Sequence, residues 1–163
     1  MNPEYNNCLI INKKLDFDTK NTLEGILNTR RMKRDPWILA DKLNLDIDTV
    51  IEIYGEDGEF YIQENNTAVI DNDTPPNDQP NVYCNWKYNE KLNFLKYNSK
   101  DYEDSIEWII YLVRNIFEPR GYYLSGNVEI YEDDIKSNII IKNNDISVDI
   151  ENPDEDSDNE TNE

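Results

Sequence analysis

The run Thr29-Arg30-Arg31-Met32-Lys33-Arg34 places four cations within six residues of a chain whose formal net charge is −19. Cations at that density neutralise phosphates or serve as a nuclear import signal. They also suit the end of a helix, whose unpaired carbonyls carry partial negative charge. The residues before the run have helical spacing, so the helix-end role is the simpler one.

The next candidate is Ile38–Val50, which resembles a helix-turn-helix. Small Ala40 stands where two helices would cross, Asn44 stands at the turn, and Val50 and Ile53 are spaced to pack back on the first helix. With the residues that follow, the outline is that of a winged helix. The second helix would present Asp46, Asp48 and Glu52, which would meet phosphates and acceptor-rich base edges with the wrong sign. A helix pair that serves as core is therefore expected, and DNA binding is the alternative. The candidate interaction residues are Arg30, Arg31, Lys33, Arg34, Asp46, Asp48 and Glu52.

Other chemistry is scarce. The chain has no histidine, so Ser-His and Cys-His triads of the usual kind are excluded. Cys8 and Cys84 form no CxxC pair, and thiols are expected, with one disulfide as the alternative. Asp71-Asn72-Asp73 begins like a calcium loop, but Pro76 stands where that loop needs glycine. No cofactor pattern is present. Glu103 and Glu107 read as the solvated face of a helix. Trp86, Trp108, Tyr111, Tyr122 and Tyr123 could stack single-stranded bases, but they lack interleaved Lys or Arg and read as core.

These side chains need elements to hold them. Cys8–Ile11 predicts a short strand. Asp18 predicts the cap of a helix carrying Leu23, Ile26 and Leu27. Asp35-Pro36 starts a helix expected to bury Ile38, Leu39 and Leu43. Ile47–Tyr54 has strand propensity but helical spacing, and the bracket of Asp46 and Gly55 favours helix. Residues 59–63 and 67–70 predict a hairpin around Asn65-Asn66. Residues 72–81 lack apolar side chains other than proline and Val82 follows them, so they predict a linker or long surface loop. Val82–Tyr88 alternates, with Val82, Cys84, Trp86 and Tyr88 on one face, and Leu92–Tyr97 follows as a second strand. Asp101 predicts the cap of an amphipathic helix carrying Tyr102, Ile106, Ile109, Ile110, Val113, Ile116 and Phe117, ended by Pro119 and Gly121. Leu124, Gly126, Val128 and Ile130 face inward on the next strand. A last hairpin turns at Asn143-Asn144-Asp145. Seven acids and no bases fall in residues 151–163, which predicts a disordered tail and leaves −12 on the rest of the chain.

The predicted class is α+β. A helical, winged-helix-like unit with a hairpin (1–71) precedes the linker (72–81). A β-β-α-β-β-β unit (82–150) follows, its antiparallel sheet covered by one helix, and then the tail.

The C-terminal half resembles a group of small uncharacterised proteins of bacteria, phages and large DNA viruses. The resemblance is carried by Tyr83-Cys84-Asn85-Trp86, Trp108-Ile109-Ile110-Tyr111-Leu112 and Pro119–Val128, with Lys136 and Ser137 in place of an expected glycine. It implies a shared fold and assigns no functional residue. Abundant Asn, Ile, Lys, Asp and Tyr fit an AT-rich genome, a viral one among the candidates. No apolar run approaches the ~20 residues of a membrane span, and the first residues lack a signal-peptide pattern. The expectation is an intracellular, non-enzymatic acidic protein that engages a basic partner, a DNA mimic in its strongest form. A helix-turn-helix regulator is the alternative, and an enzyme using carboxylates alone stands behind both.

Overall fold

The computed structural model describes residues 7–61, 65–98 and 104–151. The predicted cap at Asp101, with Tyr102 and Glu103, lies outside the described residues, as does all of the predicted tail but Glu151. The class is α+β, centred on a six-stranded antiparallel sheet. The strands are β1 (Cys8–Ile11), β2 (Lys33–Arg34), β3 (Val69–Asp71), β4 (Trp86–Asn89), β5 (Phe94–Tyr97), β6 (Leu124–Glu132), β7 (Ile135–Lys142) and β8 (Asp145–Glu151). The helices are α1 (Phe17–Asn28), α2 (Pro36–Leu43), α3 (Ile47–Tyr54) and α4 (Ser105–Leu112).

The large sheet runs β4-β5-β1-β6-β7-β8. β1, from the predicted first unit, lies between β5 and β6, so the sheet crosses the division drawn from sequence. The reason is local. Leu9 and Ile11 face the main core while Cys8 is buried as well, and a strand enclosed on both sides belongs at a sheet centre. Gly126 faces Leu9 in β6, and a Cβ there would collide with the Cys8 carbonyl oxygen, which accounts for the glycine. Asp133-Asp134 and Asn143-Asn144 all have positive φ, the geometry of tight hairpins, and they join β6 to β7 and β7 to β8.

One face of the sheet is covered by two helices where one was predicted. Leu23, Ile26 and Leu27 of α1 share a single apolar cluster with Trp108, Ile109 and Leu112 of α4. α1 is capped by Asp16, not Asp18. The Asp16 carboxylate accepts from the Thr19 backbone N–H at 2.7 Å and from the Tyr122 hydroxyl at 2.8 Å. Asp18 lies within the first turn, where its charge favours the helix dipole without capping it. α4 continues through a π-helical turn, Val113–Phe117, and a 3-10 turn, Glu118–Arg120, and ends at Gly121 with φ 77°. Arg120 donates to the Asn115 and Ile116 carbonyls that this change of pitch frees.

The predicted hairpin of 59–63 with 67–70 is not the pairing observed. β3 pairs with β2, Lys33 opposite Asp71 and Arg34 opposite Val69. Residues 55–61 keep turning instead, with Phe60 N–H bonded to the Tyr54 carbonyl and Tyr61 N–H to Gly58. Residues 62–64 lie outside the described residues. The winged-helix outline therefore lacks its wing among the described residues. Residues 72–81 are irregular but fastened: Gln79 is buried and donates to the Tyr111 hydroxyl and the Glu59 carbonyl.

Candidate interaction surfaces

The basic run is turned inward. Arg31 and Arg34 are both 0% exposed. Arg31 lies just past the C-terminal end of α1 and donates to the Gly25 carbonyl (3.4 Å), Thr29 Oγ1 (2.8 Å), Gln79 Oε1 (3.2 Å) and the Glu59 carbonyl (2.5 Å). The bond to Gly25 fits the predicted helix-end role. Arg34 donates to the Met32, Asn65 and Thr67 carbonyls, with its guanidinium 4.7 Å from the centre of the Tyr61 ring. The rigid fork of five N–H donors can hold several loops at once, which a lysine cannot. Burial, with Arg34 alongside, pushes the Arg31 guanidinium down to about 10, which leaves it cationic at neutral pH. Arg30 pairs with Asp73 at 2.9 Å, and Lys33 lies 3.9 Å from Asp57. Two of the four predicted cations are thus unavailable to any partner, and two are ion-paired to acids. The Asp71-Asn72-Asp73 turn spends a carboxylate on Arg30, and no cluster of metal-ligating side chains occurs among the described residues.

The acids of the run that follows are turned outward. Asp35 caps α2 and Asp46 caps α3, and the left-handed Asn44 at φ 55° lets the chain reverse between them. Asp46 accepts from Thr49 N–H at 2.9 Å and Thr49 Oγ1 at 2.6 Å, and these bonds hold its carboxyl below the usual range. Leu39, Ala40, Val50 and Tyr61 make a small core beneath the pair. Ile38 and Ile53, predicted to be buried, are 49% and 50% exposed, and Trp37 is 69% exposed. Eight-residue helices have too few positions to enclose every apolar side chain, and only one side of the pair meets Tyr61. Asp41, Asp46, Asp48 and Glu52 are exposed on the same two helices and their connection. The predicted acids therefore share the α2–α3 pair with exposed apolar side chains, and the predicted cations precede it.

Four of the five aromatics singled out from sequence, Trp86, Trp108, Tyr111 and Tyr122, are core residues, and Tyr123 alone is half exposed. Cys8 and Cys84 are not joined in a disulfide. A cleft of about 640 Å³ is lined by Asp78, Asp104, Glu107, Tyr111 and Arg114. Its acids are half-buried or exposed. No helix among the described residues is long and apolar enough to cross a membrane.

The sheet has two edges, β4 and β8. β8 carries alternating Asp145, Ser147, Asp149 and Glu151 on the face away from the helices, with Ile146, Val148 and Ile150 on the other. Sequence patterning identifies the strand but not that it ends the sheet, because edge position depends on the placement of β1 and on the absence of a ninth strand beside it among the described residues. No family model matches this chain, and neither a curated protein nor a solved structure matches it.

Proposed function

We propose that this is a non-enzymatic acidic interaction protein that engages a basic protein partner. The observation that carries this reading is the opposite placement of its charges. Arg31 and Arg34 are enclosed, while Asp41, Asp46, Asp48 and Glu52 are exposed on the same helix pair as exposed Trp37 and Ile38. Exposed tryptophan amid charge is the composition of an interface anchor, and the acids select a partner of opposite sign and speed its approach. The helix-turn-helix regulator is the weaker reading, because two of the cations it would lay on phosphates, Arg31 and Arg34, are committed inside the fold and the other two, Arg30 and Lys33, face acids. A carboxylate-only enzyme would use the cleft at Asp78, Asp104 and Glu107. There Asp78 and Glu107 are exposed, Asp104 is half-buried with Asn81 donating to it, and no carboxylate is enclosed as a raised-pKa acid would be.

The test is a salt series with a purified basic nucleic-acid-binding protein as probe. Binding that weakens steeply as salt rises, and that Trp37→Ala or Asp48→Lys reduces, is the expected result. Displacement of the protein by duplex DNA would support the DNA-mimic form. Salt-independent binding, or retention of DNA by the protein itself at low salt, would overturn the reading.

A further inference from the structure

We infer that the outer edge of β8 is a strand-addition site for an extended basic segment of the partner, an inference that rests on the basic-partner reading above. The two-residue turn Asn143-Asn144 makes Lys142 and Asp145 a hydrogen-bonded pair, so bonded pairs recur at Ile140–Ser147, Asn138–Asp149 and Lys136–Glu151. The β6–β7 turn sets the complementary register, with Ile135, Ser137, Ile139 and Ile141 bonded to β6. The backbone N–H and C=O groups of Ile146, Val148 and Ile150 therefore point out of the sheet. None of them has a hydrogen bond to a described residue. An edge of seven residues offers about 23 Å of unpaired backbone.

The side chains beside this edge specify the occupant. On one face an incoming strand meets Asp145, Ser147, Asp149 and Glu151. On the other it meets Ile146 and Val148, which are half-buried, and Ile150, which is 61% exposed. A segment alternating Lys or Arg with Val, Ile or Leu satisfies both rows. Lys136 lies 3.5 Å from Glu151, which leaves Asp145 and Asp149 as the carboxylates for the partner to meet. Other occupants fit worse. A second copy paired antiparallel about Val148 would set Asp145 opposite Glu151, like charge against like. The residues after Glu151 are acidic themselves. The opposite edge, β4, spans four residues and carries Lys87 beside Lys96, which repels a basic segment.

The test uses the full chain and a synthetic peptide of alternating lysine and valine, with a glutamate–valine peptide as control. The lysine–valine peptide is expected to bind and to slow amide exchange at Ile146, Val148 and Ile150. Val148→Pro removes one outward N–H without touching a bond to β7, which an edge strand tolerates, and it should weaken binding by about tenfold or more. Asp145→Lys with Asp149→Lys should do the same without altering the backbone, and covers the case in which the proline variant does not fold. Peptide binding that both variants leave intact, or exchange protection located elsewhere, overturns the edge assignment and leaves the basic-partner reading standing. Failure of both the peptide and a folded basic protein to bind at low salt overturns both. Protection of β8 amides that grows with protein concentration in the absence of peptide assigns the edge to a second copy and overturns the inference.

Discussion

In the six-stranded sheet, Leu9, Val128 and Ile139 share one apolar cluster with Trp108 and Leu112, and the enclosed polar side chains beside it, Asn85 and Ser105, are small and bonded to each other. Between Thr29 and Val82 the proportions change. The apolar cluster there has four fully buried members, Leu39, Ala40, Val50 and Tyr61, and two of the largest enclosed side chains are Arg31 and Arg34. Loops have carbonyls that no ladder satisfies, and an enclosed carbonyl without a partner is costly. The guanidinium groups meet that need, since their acceptors include the carbonyls of Met32, Glu59, Asn65 and Thr67. A segment rich in Asp, Asn and Pro can thus be held closed by polar cross-links where it cannot be held by apolar area.

The sharpest way to break this comparison is Arg31→Ala. It removes four hydrogen bonds, leaves Gln79 Oε1 without its guanidinium donor and empties a large enclosed side-chain volume. A loss of about 3–5 kcal/mol is therefore expected in denaturant unfolding, although the Gly25 and Glu59 carbonyls keep donors in Thr29 and Gln79. Arg31→Lys should recover little, because an ammonium cannot span the same acceptors. Hydrogen exchange should show early opening of residues 57–61 and 76–82 while β6 and β7 stay protected. A loss below about 1 kcal/mol would mean that the arginine fills space rather than holding the loops together.

Leu9→Ala probes the other side of the comparison. It empties volume at the centre of the sheet, and about 2–5 kcal/mol should be lost. Here protection should fall in all strands together, because β1 joins β5 to β6. If β6 to β8 kept their protection, the sheet would not be one cooperative unit.

Much of this was legible where the determinants are local. Asp35-Pro36 and the Asp46–Gly55 bracket specify α2 and α3, since a cap, a proline and a left-handed stop all act within one turn. Asn143-Asn144 specifies its hairpin for the same reason. The misses are non-local. Nothing near Leu9 announces that its partners are Leu95 and Gly126 in strands formed by the second half of the chain. Nothing near Arg31 or Arg34 announces acceptors at Glu59, Asn65, Thr67 and Gln79, so the run reads as a helix end and its role in holding the loops does not show. The acids at Asp46, Asp48 and Glu52 were legible because exposure is the default for carboxylates. The exposure of Trp37 was not, since periodicity assigns an apolar residue to a face without saying whether anything covers that face.

Alkaline titration examines the seam between the two regions with a smaller effect. Burial pushes the Cys84 thiol up to about 12, and burial likewise pushes the Tyr111 hydroxyl, which Gln79 holds, up to about 12. An unfolded chain releases these protons near 9 and 10, so between those values and about 12 the folded state binds more protons than the unfolded one. Their contribution is full below pH 9, declines as pH rises, and is gone above about 12. Arg31 pulls the other way above pH 10, so the comparison needs variants. Cys84→Ala and Tyr111→Phe should each flatten the decline in midpoint stability with pH, and an unchanged slope in both would mean that these groups are reached by water.

The smallest expected effect is at Asp46. Asp46→Ala deletes the acceptor for Thr49 N–H and Thr49 Oγ1 and should lower stability slightly, seen as a modest fall in thermal midpoint. Asp46→Asn retains an acceptor for the backbone N–H and should cost less, while removing the same charge. The pair of variants separates two jobs of one carboxylate. If affinity for a basic partner falls equally in both while stability falls mainly in the alanine variant, the charge serves binding and the hydrogen bond serves the fold. If affinity follows stability instead, Asp46 belongs with the arginines, as a polar group whose work is to hold a short element in place.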